Sequence, residues 1–135
     1  MEHELLLIKS FVLKDRSKRY TNLISTKKGR IKFRMYIPHF KGLNERYIVE
    51  LKTEQHNPNS LYDFLKSFGA SDYCYIISEN SLYDGKQLRL FEALNALNNS
   101  GISFFISCIP GQLVYYEGED RNSRLLLLKN QSSKT

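Results

Sequence analysis

The sequence predicts a mixed α/β domain, and three observations carry that reading. Several segments place apolar residues at helical spacing. Two continuous apolar runs, 73–77 and 102–109, have the length and two-sided character of strands covered by helices. Turn residues punctuate the boundaries between the two kinds of segment. The expected order is α-α-β-α-β-α-β-β-β. Alternating strands and helices imply parallel pairs with right-handed crossovers, so 73–77 and 102–108 are expected to run parallel. A closing hairpin adds antiparallel strands, giving a mixed sheet of about five strands with helices packed on it.

Leu5, Ile8, Val12, Tyr20, Leu23 and Ile24 predict a helix over 4–24, with a strand over 5–13 as the alternative. Ser25-Thr26 offers an N-cap for a helix near 27–37, with Ile31, Met35 and Phe40 on one apolar side. Pro38 should end it, and Gly29 weakens it by about 1 kcal/mol relative to Ala. Gly42-Leu43-Asn44 reads as a turn and Tyr47–Leu51 as a short strand. After a loop over 55–59, Ser60 is the expected cap of the next helix, with Asp63 completing a capping-box variant. Leu61, Phe64, Leu65 and Phe68 form its apolar stripe, and Gly69 closes it. Residues 88–99 predict a further helix with Leu90, Phe91, Leu94 and Leu97 inward, ended by Gly101. Pro110-Gly111 is a turn, and 113–116 with 124–128 predict a hairpin across 119–123. No repeat or linker interrupts the chain. It reads as a single domain over 1–135, with a basic helical segment 1–42, an α/β core 43–130 and a frayed tail 131–135.

Of the 135 residues, 41% are hydrophobic and 25% charged, a balance that supports a core and excludes disorder. No apolar run approaches the length of a membrane span, and the acid-led start is a poor signal peptide. A cytoplasmic protein without membrane partners is expected. Cys74 and Cys108 lie in apolar runs and read as buried thiols of a reducing compartment; a disulfide between them requires neighbouring strands. Two cysteines cannot complete a closed zinc site, and His3, His39 and His56 share no ligand spacing. No metal or cofactor is expected, and no glycine-rich phosphate loop is present.

The net charge of +6 is uneven. Residues 1–60 hold 13 Lys and Arg against 6 Asp and Glu, or +7, whereas residues 61–135 hold 7 against 8, or −1. Nine cations (Lys14, Arg16, Lys18, Arg19, Lys27, Lys28, Arg30, Lys32 and Arg34) face one acid, Asp15. At a helix C-terminus such charges complement the dipole, but those opening the second helix oppose it. Helix stability therefore does not explain them; the mismatch favours an anionic partner, nucleic acid or an acidic protein, with a plain solvated basic face as the alternative. Tyr20, Phe33 and Tyr36 interleave with the cations and suit either base stacking or a core face. No known nucleic-acid-binding motif accompanies them.

A second reading places a small enzyme or ligand-binding site in a crevice between loops 78–86 and 107–112. Ligands of parallel α/β sheets bind beyond the carboxyl ends of the strands. Glu79 would be the acid or base, Asp84 a second carboxylate and Lys86 an anion contact, with Cys108 and Glu117 nearby. The same residues also suit plain turns, with Ser78 and Asn80 satisfying backbone groups. Two weaker patterns are a Cys108 nucleophile with His39 or His56 as base, and Glu50-Leu51-Lys52 with Asp15 as a metal-dependent nuclease set. The apolar residues around Cys108 predict an inert thiol.

The segments Ile77-Ser78-Glu79-Asn80, Asp84-Gly85-Lys86, Glu92-Ala93-Leu94, Ser107-Cys108-Ile109-Pro110-Gly111 and Tyr116-Glu117-Gly118-Glu119 resemble a group of small uncharacterised bacterial proteins. The resemblance covers the C-terminal half best. It implies a bacterial, intracellular origin and no particular mechanism.

Overall fold

The computed structural model describes residues 2–120 and 123–129. The expected frayed tail, 131–135, lies outside the described residues. Helices α1 (Glu2–Phe11), α2 (Lys14–Ile24) and α3 (Lys27–Tyr36) come first, followed by β1 (Ile48–Glu50) and α4 (Pro58–Ser67). Then come β2 (Tyr73–Ser78), β3 (Gln87–Arg89), α5 (Leu90–Leu97), β4 (Phe104–Ile109), β5 (Leu113–Glu117) and β6 (Arg124–Leu128). Among the described residues the strands form one six-stranded sheet in the order β1-β6-β5-β4-β2-β3. The mixed α/β class predicted from the sequence holds.

Every neighbouring strand pair is antiparallel, which overturns the expected parallel pairing of β2 and β4. Tyr75 faces Ser107 and Ser78 faces Phe104. The reason lies in Gln87–Arg89, whose last two residues the sequence assigned to the start of a helix. Those residues form β3, pairing with Tyr73–Tyr75 and carrying the chain back to the start of β2. There the Leu90 amide donates to the Asp72 carbonyl and α5 begins. Helix α5 then returns to the far end of β2, so β4 enters antiparallel. A strand–helix–strand unit would have given a parallel pair; the added hairpin reverses it.

The alternation of side chains divides the core between the two faces of the sheet. Cys74, Ile76, Phe104, Ile106, Leu113, Tyr115 and Leu126 meet Leu61 and Leu65 of α4 and Leu90, Leu94 and Leu97 of α5. Ile77, Phe105, Val114, Tyr116 and Leu127 meet α1, α2 and α3 through Leu7, Ile8, Phe11, Tyr20, Ile24 and Phe33. The two-sided apolar runs were therefore read correctly even though their direction was not. In β4 a bulge at Cys108 shifts the register against β5.

The N-terminal stretch also differs from expectation. The predicted helix over 4–24 is two helices, broken where Val12 bridges to Leu43. The Leu13 amide donates to the Gly42 carbonyl (2.7 Å) and the Asn44 amide to the Phe11 carbonyl (2.8 Å), so two strand-like bonds replace helical ones. Gly42 makes this approach feasible: its φ is +94°, and a Cβ there would lie 2.4 Å from Arg16 Cδ. At α4 the cap is Asn57, whose side chain accepts from the Ser60 amide (2.9 Å), with Pro58 in the first turn. Ser60 is thus the recipient of the cap, because Pro58 has the fixed φ that starts a helix.

Phe105 is fully buried, with Phe40 packed edge-on at 5.1 Å and Tyr116 at 4.7 Å between ring centroids. Phe105→Ala is expected to cost about 3–5 kcal/mol, because helices on one side and sheet on the other cannot collapse into the space. Urea denaturation measures this, and a loss below about 1 kcal/mol would show that this layer is not packed as described.

Candidate functional site

The basic segment forms a helical hairpin. Helix α2 ends at Ile24, Ser25 turns the chain, and the Thr26 hydroxyl caps α3 by accepting from the Gly29 amide (2.9 Å). Gly29 looked like a weakness in the sequence. A Cβ there would lie 2.2 Å from the Leu23 carbonyl oxygen, so only glycine lets α3 approach α2 this closely. Tyr20 and Phe33 are buried between the helices, edge-on at 5.5 Å. The side of α3 that carries Ile31 and Met35 is not its buried one. Ile31 is 58% and Met35 73% exposed, and Phe33 is the buried residue. Ile31 and Met35 mark the outer side of α3, whereas Phe40 lies beyond the helix and packs against Tyr20, Phe33 and Phe105.

A groove runs between α2 and α3. One hollow of about 490 Å³ is lined by Arg16, Arg19 and Tyr20 of α2, Met35 and Tyr36 of α3, and then His39 and Lys41. A second, of about 440 Å³, shares Arg19 and is lined by Asp15, Lys18, Asn22, Leu23 and Lys32. The two hollows together take five cations from Lys and Arg against one carboxylate. The walls are held from below. The Tyr20 hydroxyl donates to the Lys41 carbonyl (2.7 Å) and the Tyr116 hydroxyl to that of Ile37. The Glu119 amide donates to the Pro38 carbonyl (2.9 Å). Arg19 donates to the Tyr36 hydroxyl (2.8 Å) and lies over its ring at 5.8 Å. That hydrogen bond lowers the Tyr36 phenol from its ordinary pKa.

Of the nine sequence-predicted cations, Arg16, Lys18, Arg19 and Lys32 line the groove, and Lys14, Lys27 and Lys28 are exposed outside its lining. Arg30 and Arg34 serve another purpose. Arg30 pairs with Glu4 of α1 (2.5 Å) and with Asp84 (2.9 Å). Arg34 donates to the Ser78 and Glu79 carbonyls (3.2 and 3.1 Å). These two arginines bind α3 to α1 and to the β2–β3 turn. Sequence reasoning missed Lys41 and Met35 as groove residues. Lys41 stands outside the basic run, and the chain brings it back only through the turn at Pro38.

Glu4 is 2% exposed. Burial pushes its carboxyl up, but hydrogen bonds from Arg30 and Tyr75 outweigh that and leave its pKa below the ordinary value. The same contacts raise Arg30, first through its hydrogen bond with Glu4, and burial raises the Tyr75 phenol to about 12. A depressed folded-state pKa stabilises above the unfolded value, and that stability disappears as pH falls through the folded one. Glu4→Gln should therefore cost about 1–3 kcal/mol at neutral pH. Its gap to the wild type should close below about pH 4. Urea midpoints across pH measure both; a gap that persists in acid would refute an ionic origin.

The predicted crevice is not formed. Because β2 and β4 are antiparallel, the 79–86 loop leaves the end of the sheet where Phe104 enters, and the 110–112 turn lies at the opposite end. Glu79 accepts from the Ser103 amide (2.8 Å), and Asp84 accepts from the Ser78 amide (2.9 Å) as well as from Arg30. Lys86 is exposed, with its carbonyl accepting from Ile76. Asn80 caps the turn through Leu82. These residues satisfy backbone groups and anchor α3. Glu117 is buried at another hollow, and its carboxylate accepts from the Tyr115 hydroxyl, the Asn98 side chain and the Asn99 amide.

His39 pairs with Glu119 (2.7 Å), His56 contacts the Leu51 carbonyl (3.2 Å) and His3 contacts Ser107 (2.7 Å). Cys108 faces the α4–α5 side of the sheet, away from His39. Glu50 is exposed on β1, whereas Asp15 lines the groove. Among the described residues no group of three or more His, Cys, Asp or Glu side chains could hold a metal. Both thiols are free and buried; burial pushes Cys74 to about 12 and Cys108 up as well. Neither should react readily with iodoacetamide in the folded protein at neutral pH, and Cys108→Ser should cost about 1–3 kcal/mol. Rapid selective labelling of Cys108 would contradict an inert thiol.

No protein-family model matches the chain, and no curated protein or solved structure matches it either. Among the described residues no helix is long and apolar enough to cross a membrane.

Proposed function

We propose that this is a non-enzymatic binding protein that holds a nucleic acid in the α2–α3 groove. The observation that carries the reading is the groove itself: Arg16, Lys18, Arg19, Lys32 and Lys41 converge on a concave surface with Asp15 as its one carboxylate. Such a surface concentrates field lines and draws a polyanion. Lys27 and Lys28 add support, since α3 has no acid in its first turn to offset them. They oppose its dipole at a cost in helix stability. An acidic protein would answer the same charge, but the aromatic and thioether wall at Tyr36 and Met35 favours a ligand with flat rings. The two buried, free thiols support a reducing, cytoplasmic setting. The resemblance to small bacterial proteins supports a bacterial one.

Counterion release sets the test. If the five groove cations each meet a phosphate of a single strand, log K should fall against log salt with a slope of about −3.5. Arg16, Lys18, Arg19 and Lys32 replaced together by Ala should abolish binding of labelled DNA and RNA, and circular dichroism should report an intact fold. Arg30→Ala belongs to a different experiment, because it removes the ion pairs that hold α3. No retardation of DNA or RNA at low salt would end the nucleic-acid reading.

A further inference from the structure

We propose that the groove selects single-stranded nucleic acid, seating an unstacked base against Tyr36 and Met35 while Arg16, Arg19 and Lys41 hold the adjoining phosphates. The inference rests on the polyanion reading above and narrows its ligand. A flat basic face would meet any phosphate backbone, duplex included. This face is not flat. Its first hollow, about 490 Å³, falls within the roughly 300–1,000 Å³ of small-molecule pockets.

The lining has the two chemistries that a nucleotide unit needs. Arg16, Arg19 and Lys41 supply cations, and Tyr36 and Met35 supply polarizable apolar surface. Met35 is 73% exposed, so its thioether side chain is open to a ligand lying in the first hollow. The Tyr36 ring is held in advance: its hydroxyl accepts from Arg19, and it lies tilted against Tyr20 with ring centroids 6.2 Å apart. A ring already held loses little freedom when a base stacks on it.

Continuity points to a strand. The second hollow adjoins the first through Arg19 and repeats its character, with Lys18 and Lys32 around Leu23. From Asp15 to Leu23, α2 advances about 12 Å at 1.5 Å per residue. That is the span of about three to four nucleotides when stacked at roughly 3.4 Å each, and of fewer when splayed. A duplex keeps its bases paired inside and offers these hollows only phosphates. A single strand can turn a base into the first hollow and run its backbone past Arg19 into the second.

Fluorescence anisotropy with a labelled oligonucleotide of about 12 nucleotides, against the duplex of equal length, tests this. The single strand should bind about tenfold tighter or better than the duplex at the same salt. Tyr36→Leu should bring the two affinities together, whereas Tyr36→Phe, which keeps the ring and loses the Arg19 bond, should preserve the preference. Met35→Ala, at an exposed position that cannot threaten the fold, should narrow the ratio as well. Duplex bound as tightly as single strand, or a ratio unmoved by Tyr36→Leu and Met35→Ala, would overturn the inference and leave the polyanion reading standing. Adenosine monophosphate or polyglutamate bound as tightly as the oligonucleotide would overturn it too, in favour of a free nucleotide or an acidic protein. Binding to no nucleic acid at all would remove both readings together.

Discussion

The antiparallel ladder between β2 and β4 runs through the middle of the protein, with Ile76 and Ile106 turned to one helical layer and Ile77 and Phe105 to the other. Each cross-strand pair is buried on its own face, so the ladder specifies which helices lie on which side. It also specifies where the loops leave the sheet. A parallel ladder of the same residues would have gathered two polar loops at one edge and made a ligand crevice there. The antiparallel one separates them and leaves their polar side chains to local backbone. The same sheet then acts as a platform, and the polar work of the molecule moves to the helices that cover it.

The connection between platform and groove is ionic. Arg30 reaches down from α3 to Glu4 and Asp84, and Arg34 reaches to the carbonyls of Ser78 and Glu79. A buried carboxylate such as Glu4 is costly unless it is paired, so the pair fixes α3 against α1 with little latitude. The other cations of the hairpin point outward. The basic run is thus divided by helical geometry. Arg30 and Arg34, four residues apart, share the inner side of α3, while Lys28 and Lys32 share an exposed one. Cations two positions apart thus differ: Arg30 and Arg34 are tied to the body of the protein, whereas Lys28 and Lys32 are exposed.

Close approach makes the groove possible. Gly29 allows α3 to pass the end of α2, and Gly42 allows the chain after α3 to return against Arg16 and bring Lys41 to the far wall. Both glycines are costly in local propensity and are repaid by the hairpin geometry. Tyr20 works in both layers of this arrangement: its ring lies in the core with Phe33, and its hydroxyl holds the Lys41 carbonyl.

The sequence by itself determined the class of fold, because buried two-sided strands and amphipathic helices are written in local periodicity. It also determined the basic segment, the cap at Thr26, the closing hairpin and the apolar setting of both thiols, all of which depend on neighbours in the chain. Strand direction was not legible, since Gln87–Arg89 is too short to carry a period of two and pairs only because the edge of β2 lies open beside it. The break at Val12 was hidden for the same reason: its bonds go to residues some thirty positions away. Nor could the run from Lys14 to Arg34 disclose which cations are drawn into ion pairs and which stay exposed. That depended on where Glu4 and Asp84 come to rest, and only the packing of α1 and the β2–β3 turn against α3 decides it.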